Sequence, residues 1–189
     1  MGARATAWQT VGPFFSIGLG PRYVTELAGP GVAGERITIA GQIFDGDGVP
    51  IPDALLEIWQ ADAKGKYAHA EHPQGKGLDG GFHGHGRIPT DEYGHFGFST
   101  IKPGVVSLPG GRAQAPHLAV GLMMRGLLRR LVTRIYFPNE TLNERDEVLQ
   151  LVEAGRRKTL LLIPESKQNG VFRWDIHMQG DAETVFLDF

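Results

Sequence analysis

The stretch Arg36-Ile37-Thr38-Ile39-Ala40-Gly41-Gln42-Ile43-Phe44, followed by Asp45-Gly46-Asp47-Gly48 and then Ala54-Leu55-Leu56-Glu57-Ile58-Trp59-Gln60, decides the fold class. In the first run Ile37, Ile39 and Ile43 fall on one side, with Thr38, Ala40 and Gln42 on the other. A period of two is the mark of a strand with one buried face. The Asp-Gly-Asp-Gly run is turn chemistry. The second run alternates again, with Leu56, Ile58 and Gln60 opposite Leu55, Glu57 and Trp59.

Working outward, His95–Ile101 alternates with Phe96 and Phe98 on one face. Residues 117–124, 131–137, 160–163, 172–177 and 184–187 read as further strands. Segment 139–153 carries Leu142, Val148, Leu149 and Val152 among charges and predicts a short surface helix. Residues 61–92 form a long polar connection rich in Gly and His, and residues 1–34 an irregular arm. Many short strands between turn signals predict an all-β fold, an antiparallel β-sandwich with a short helix and long loops, as one domain over residues 1–189.

Composition bounds the function. The 189 residues include 27 Gly and 12 Pro, which suits a turn-rich β fold. A formal net charge of -2 gives no electrostatic basis for nucleic acid or an anionic membrane as partner. Zero cysteine excludes disulfides, thiolate ligands and a Cys nucleophile, and fits the cytoplasm. Met1–Gly20 lacks the apolar run of a targeting segment, and no stretch is long enough to span a bilayer. Asp53, Glu57, Asp62, Asp91 and Glu92 have no spacing that fixes a carboxylate pair, and no Gly-x-Ser-x-Gly or phosphate loop is present.

One set of motifs is long and specific. Gly41–Asp45, then Pro52-Asp53-Ala54-Leu55-Leu56-Glu57-Ile58-Trp59-Gln60-Ala61-Asp62-Ala63-Lys64-Gly65-Lys66-Tyr67, then Phe82–Arg87, Thr90-Asp91 and Phe98–Gly104 resemble, in order, the signature of the intradiol ring-cleaving dioxygenases. The likeness runs from Thr10 to the closing Asp181–Phe189. It implies the sandwich of that family. Catalytic members hold Fe(III) with two Tyr and two His, because a hard ferric cation is matched by anionic phenolate oxygen and completed by imidazole.

Carried over residue by residue, the first Tyr position is Tyr67 and the first His position is His117. The second Tyr position holds Val106, the second His position holds Ala119, and Gln114 stands where catalytic members have Arg. Val and Ala offer no lone pair. The resemblance therefore implies no metal in this chain, with Tyr67 and His117 as relic positions. It matches the α-type subunits of heteromeric members that cleave protocatechuate to 3-carboxy-cis,cis-muconate, in which a β subunit holds the iron and binds and activates the catecholate toward oxygen. Those α subunits line the mouth of the shared pocket. Here that role falls on Thr10, Gly12, Pro13 and Arg125, with a guanidinium fork suited to the substrate carboxylate. The arm 1–34 and the 61–92 loop are then the expected contacts with β in a higher-order αβ oligomer.

Other readings stay open at this point. Arg129, Arg130 or Arg134 could replace Arg125 as the carboxylate partner, and Arg134, between Thr133 and Ile135, could be a structural charge paired with an acid. His69, His72, His83, His85 and His95 invite the reading of a self-sufficient dioxygenase with atypical ligands. A non-catalytic binding module on the same sandwich is a third possibility.

Overall fold

Strand β1 (Arg36–Phe44) is the organising element of the first sheet in the computed structural model, which describes residues 6–12, 14–69, 80–166 and 168–188. Strand β4 (His95–Ile101) lies antiparallel along it from Arg36↔Ile101 to Gln42↔His95. The second sheet is antiparallel throughout, in the order β3-β2-β7-β8: β2 (Leu55–Gln60) lies between β3 (His85–Pro89) and β7 (His117–Met123), and β8 (Leu131–Tyr136) closes the edge. A two-stranded ribbon joins β5 (Val106–Ser107) to β6 (Ala113–Gln114).

The two sheets face each other across one apolar core, as the alternation predicts. Ile37, Ile39, Ile43, Phe96 and Phe98 from the first meet Leu56, Ile58, Ile88, Leu118, Val120, Leu122 and Ile135 from the second. The polar side chains of Gln60 and Thr100 are buried at one end of the core and satisfy each other. Gln60 donates to the carbonyls of Ala61 and Ile101, both at 3.0 Å, and accepts from the Thr100 hydroxyl at 2.7 Å. That ties β2 to β4 at the end of the sandwich where Tyr67 stands, and satisfies the buried Gln60 amide.

The C-terminal strands depart from the expected pattern. Residues 172–177 do not form one strand. They divide into β10 (Val171–Arg173) and β11 (Ile176–His177), both parallel to β1, while β9 (Ile163–Pro164) pairs antiparallel with β10. The break falls at Trp174-Asp175, where the Asp175 carboxylate accepts from the Gln42 backbone at 3.1 Å. The chain crosses so close to β1 that a Cβ on Gly41 would lie 1.8 Å from the Trp174 carbonyl oxygen, so only glycine fits there.

Other boundaries moved for identifiable reasons. The apolar run at 160–163 has no internal period. It forms the end of a 3-10 turn (Arg157–Leu160) followed by an irregular segment, with only Ile163 reaching a strand. Residues 184–187 contribute a single bridge, Val132↔Leu187. The helix expected over 139–153 is restricted to α2 (Glu147–Leu151), after a 3-10 turn at Thr141–Glu144. The arm is not wholly irregular, since it contains α1 (Phe15–Leu19). The 61–92 connection contains β3, whose Gly and His content hid its alternation. None of the described helices is long and apolar enough to cross a membrane.

Candidate functional site: a depleted metal centre and an arginine turn

The outer face of the second sheet carries the first candidate site. Inward residues of β7 are Leu118, Val120 and Leu122, so His117, Ala119 and Gly121 face outward. Register places His85, Trp59, Ala119 and Arg134 side by side across the four strands. The next pair along is His117↔Tyr136. Tyr67 arrives from the turn after β2 and stacks on Trp59, with ring centroids 6.2 Å apart. That turn is fixed by Asp62, whose side chain accepts from the backbones of Lys64 and Lys66, both at 2.8 Å. At Gly65, φ is +77° and a Cβ would strike the Val105 carbonyl, so glycine lets this turn lie against the segment leading to Val106.

Tyr67 and His117, fifty residues apart, are brought together. The Tyr67 hydroxyl stands 3.4 Å from His117 Nε2. His117 Nδ1 lies 2.7 Å from the Ala115 carbonyl oxygen and donates to it, which leaves Nε2 as the nitrogen with a lone pair. A carbonyl fixing an imidazole tautomer in this way is the support a metal-ligating histidine needs. Val106 is buried in β5, and Ala119 follows His117 on the same outward face. Tyr67 and His117 therefore stand together, while Val106 and Ala119 have no lone pair to offer.

Electrostatics complete that picture. Burial pushes His117 down to about 4, helped by the charge of Arg134 and opposed by its bond to Ala115 and by Asp146. Burial pushes the Tyr67 phenol up, with Arg134 opposing. The pair is thus a neutral imidazole and a protonated phenol. One phenol and one imidazole beside a guanidinium, with hydrocarbon at Val106 and Ala119, do not fit a ferric ion, which needs more donors and more anionic oxygen to offset its charge. Among the described residues no group of three or more His, Asp or Glu side chains is placed to hold a metal. His69 and His85 both lie against Trp59 at 6.0 Å, whereas His95 is on the other sheet beside Asp91. His72 lies outside the described residues.

The titration of His117 has a consequence for stability. Its folded value of about 4 lies below the ordinary 6.5, so between these pH values the unfolded chain binds a proton that the native chain refuses. The stability contributed by the neutral imidazole is complete above pH ~6.5 and is lost as pH falls toward ~4, by up to about 3 kcal/mol. Urea unfolding across that window should show the decline. His117→Gln should flatten it relative to the parent chain, and an unchanged slope would refute the assignment.

The second candidate site is the turn between β7 and β8. The Gly126 amide donates to the Thr10 hydroxyl at 2.9 Å, which pins the arm to this turn. Gly12 is exposed nearby in sequence and its carbonyl accepts from the Phe15 amide at 3.1 Å, while Pro13 lies outside the described residues. Arg125 is exposed, and its Nε donates to the Asp53 carboxylate. Asp53 is a partner that strand-by-strand reading missed, because it comes from the turn before β2.

Arg129 and Arg130 are committed elsewhere. Arg129 pairs with Asp188 at 3.1 Å. Arg130 lies 3.5 Å from Glu57, which also holds Arg87 at 2.9 Å. Arg130 reaches over Gly121, where a Cβ would lie 2.0 Å from its Nη2. Arg134 forms no direct ion pair among the described residues; its side chain hydrogen-bonds Tyr136, whose hydroxyl donates to Asp146 at 3.0 Å.

Comparisons with known proteins show the family. A family model described as Dioxygenase matches residues 22–180. The protocatechuate 3,4-dioxygenase alpha chain of Pseudomonas putida is 37% identical over 198 residues, covering 97% of this chain and 96% of that one. The corresponding beta chain of Burkholderia cepacia is 38% identical over 132 residues, covering 68% of this chain and 55% of that one. Among solved structures, the dioxygenase domain of a dioxygenase carbohydrate-binding protein fusion from Streptomyces sp. SirexAA-E superposes with a TM-score of 0.65 at 26% identity, covering 86% and 89% of the two chains. The sandwich, the ordered motifs and these likenesses together place the chain in the intradiol ring-cleaving dioxygenase family, alongside the protocatechuate 3,4-dioxygenase alpha chains.

Proposed function

We propose that this chain is the iron-free α subunit of a heteromeric enzyme that cleaves protocatechuate between its hydroxyl-bearing carbons, with Fe(III) held by the β subunit. The observation that supports this most is a preserved ligand geometry at Tyr67 and His117 with hydrocarbon at Val106 and Ala119. When bound in β, the ferric ion activates the catecholate toward oxygen. This chain's contribution is binding and shaping. Arg125 presents its guanidinium to the ring carboxylate. Thr10, Gly12 and Pro13 are assigned to the pocket mouth, a role that the Thr10–Gly126 hydrogen bond supports for Thr10. Asp53 accepts from Arg125 Nε, which leaves both Nη groups of the fork for a carboxylate.

In this reading residues 1–189 act as one domain, the arm 1–34 and the 61–92 connection contact β, and αβ units assemble further in the cytoplasm. Apolar side chains on the arm accord with such a contact: Trp8, Phe14 and Ile17 are each at least 70% exposed in the lone chain. The test is iron content and the visible spectrum of the chain purified alone and after co-expression with a β chain. The expected result is no iron alone and a coloured, protocatechuate-cleaving complex together. Stoichiometric iron and colour in the lone chain would overturn the proposal.

A further inference from the structure

Loss of two ligands explains why a metal would bind weakly at Tyr67 and His117. It does not explain what the space became. Arg134 sits directly across from Ala119 in the β7–β8 pair, on the outward face, because Thr133 and Ile135 take the inward positions. Directly opposed side chains in an antiparallel pair are neighbours, and a methyl group at 119 leaves room beside the arginine stem. The charge of Arg134 is felt at Tyr67, at His117 and at Tyr136, which surround it from three different segments. Its Nη1 is sealed from solvent and has no hydrogen-bond partner among the described residues. A sealed guanidinium nitrogen without an acceptor costs free energy, so its retention calls for a favourable electrostatic setting. The Tyr136 hydroxyl takes a hydrogen bond from the Arg134 side chain, and the neutral Tyr67 phenol and His117 imidazole lie within reach of its charge, at positions where a complete site would hold a metal cation.

We propose that Arg134 is the resident cation of this site, a fixed guanidinium that occupies it electrostatically and excludes a metal ion even when a missing ligand is restored. This goes beyond the loss of Val106 and Ala119 as donors, since it predicts that adding a donor will not be enough. The reason is repulsion: a metal ion of charge two or three is disfavoured within a few ångströms of a partly buried guanidinium that never deprotonates. The inference rests on the reading of Tyr67 and His117 as former ligand positions, and is independent of Arg125 and of the β subunit.

The experiment uses the full chain alone, with Co(II) as the probe because its visible absorption reports coordination without redox chemistry. Ala119→His restores one imidazole beside His117. By itself it should bind Co(II) no better than the parent chain. Combined with Arg134→Gln or Arg134→Met, it should bind at least about 100-fold more tightly, with new ligand-field bands. Combined with Arg134→Lys, which keeps the charge, it should stay as weak as the single variant. Equal affinity of Ala119→His with and without Arg134, or no gain in either double variant, overturns the proposal. So does failure of the single Arg134→Gln variant to fold, because that would make Arg134 a structural support. Failure of the co-expression test above would leave these outcomes unchanged, so the two readings can fall separately.

Discussion

Arg125→Ala, assembled with the β chain, is expected to lower kcat/KM for protocatechuate about 100-fold while changing the value for catechol, which lacks the carboxylate, by less than about threefold. The size follows from the contact. Truncating one partner of a desolvated, hydrogen-bonded charge pair costs about 2–5 kcal/mol, and 100-fold corresponds to about 2.7 kcal/mol. Arg125 is more than half exposed in the lone chain, so this strength requires the β chain to close over it. Arg125→Lys keeps the charge and loses the fork, and an intermediate loss of about 10-fold is expected. Steady-state kinetics on both substrates decide the matter. An equal fall for protocatechuate and catechol would mean that Arg125 supports assembly and does not read the carboxylate.

Asp146→Ala is expected to cost about 3–5 kcal/mol of stability, measured by urea unfolding of the lone chain. Asp146 is fully buried and accepts four hydrogen bonds. One oxygen takes the amides of Val148 and Leu149 and the Tyr136 hydroxyl, at 3.1, 3.0 and 3.0 Å. The other takes the Ala115 amide at 2.9 Å. It is at once the N-cap of α2 and the clamp that holds the segment entering β7, two residues before His117. Removing the cap alone costs about 1 kcal/mol. The buried donors left behind at Tyr136 and Ala115 add about 1–3 kcal/mol each. Asp146→Asn keeps an acceptor for the cap but turns an NH2 toward one of these donors, so a loss of about 2 kcal/mol is expected. A change below about 1 kcal/mol for the alanine variant would show that water replaces the carboxylate, and that the clamp does not hold β7.

Much of this protein is readable in the chain itself. The alternation in residues 36–60 and 95–101 specifies strands with one buried face, and Ile37, Ile39, Ile43, Leu56, Ile58, Phe96 and Phe98 are all in the core. The identities at 67, 106, 117 and 119 specify which metal donors exist and which do not, because lone pairs are a property of the residue. What the sequence leaves open is whatever depends on which segments meet. Residues 160–163 and 184–187 carry apolar side chains without a period, so their form was settled by docking against Tyr136 and Val132. β3 was masked by Gly and His whose burial comes from neighbouring strands.

Arg134 is the sharpest case. Its period on β8 says only that it faces outward. Its place opposite Ala119 and the reach of its charge to Tyr67, His117 and Tyr136 come from strand register and from the turn that returns Tyr67 to the sheet. The same holds for Arg125 and Asp53, joined across seventy-two positions. Residue chemistry is local and can be read along the chain. Electrostatic partnership falls off over a few ångströms in space, so only the tertiary fold decides which charges share a site.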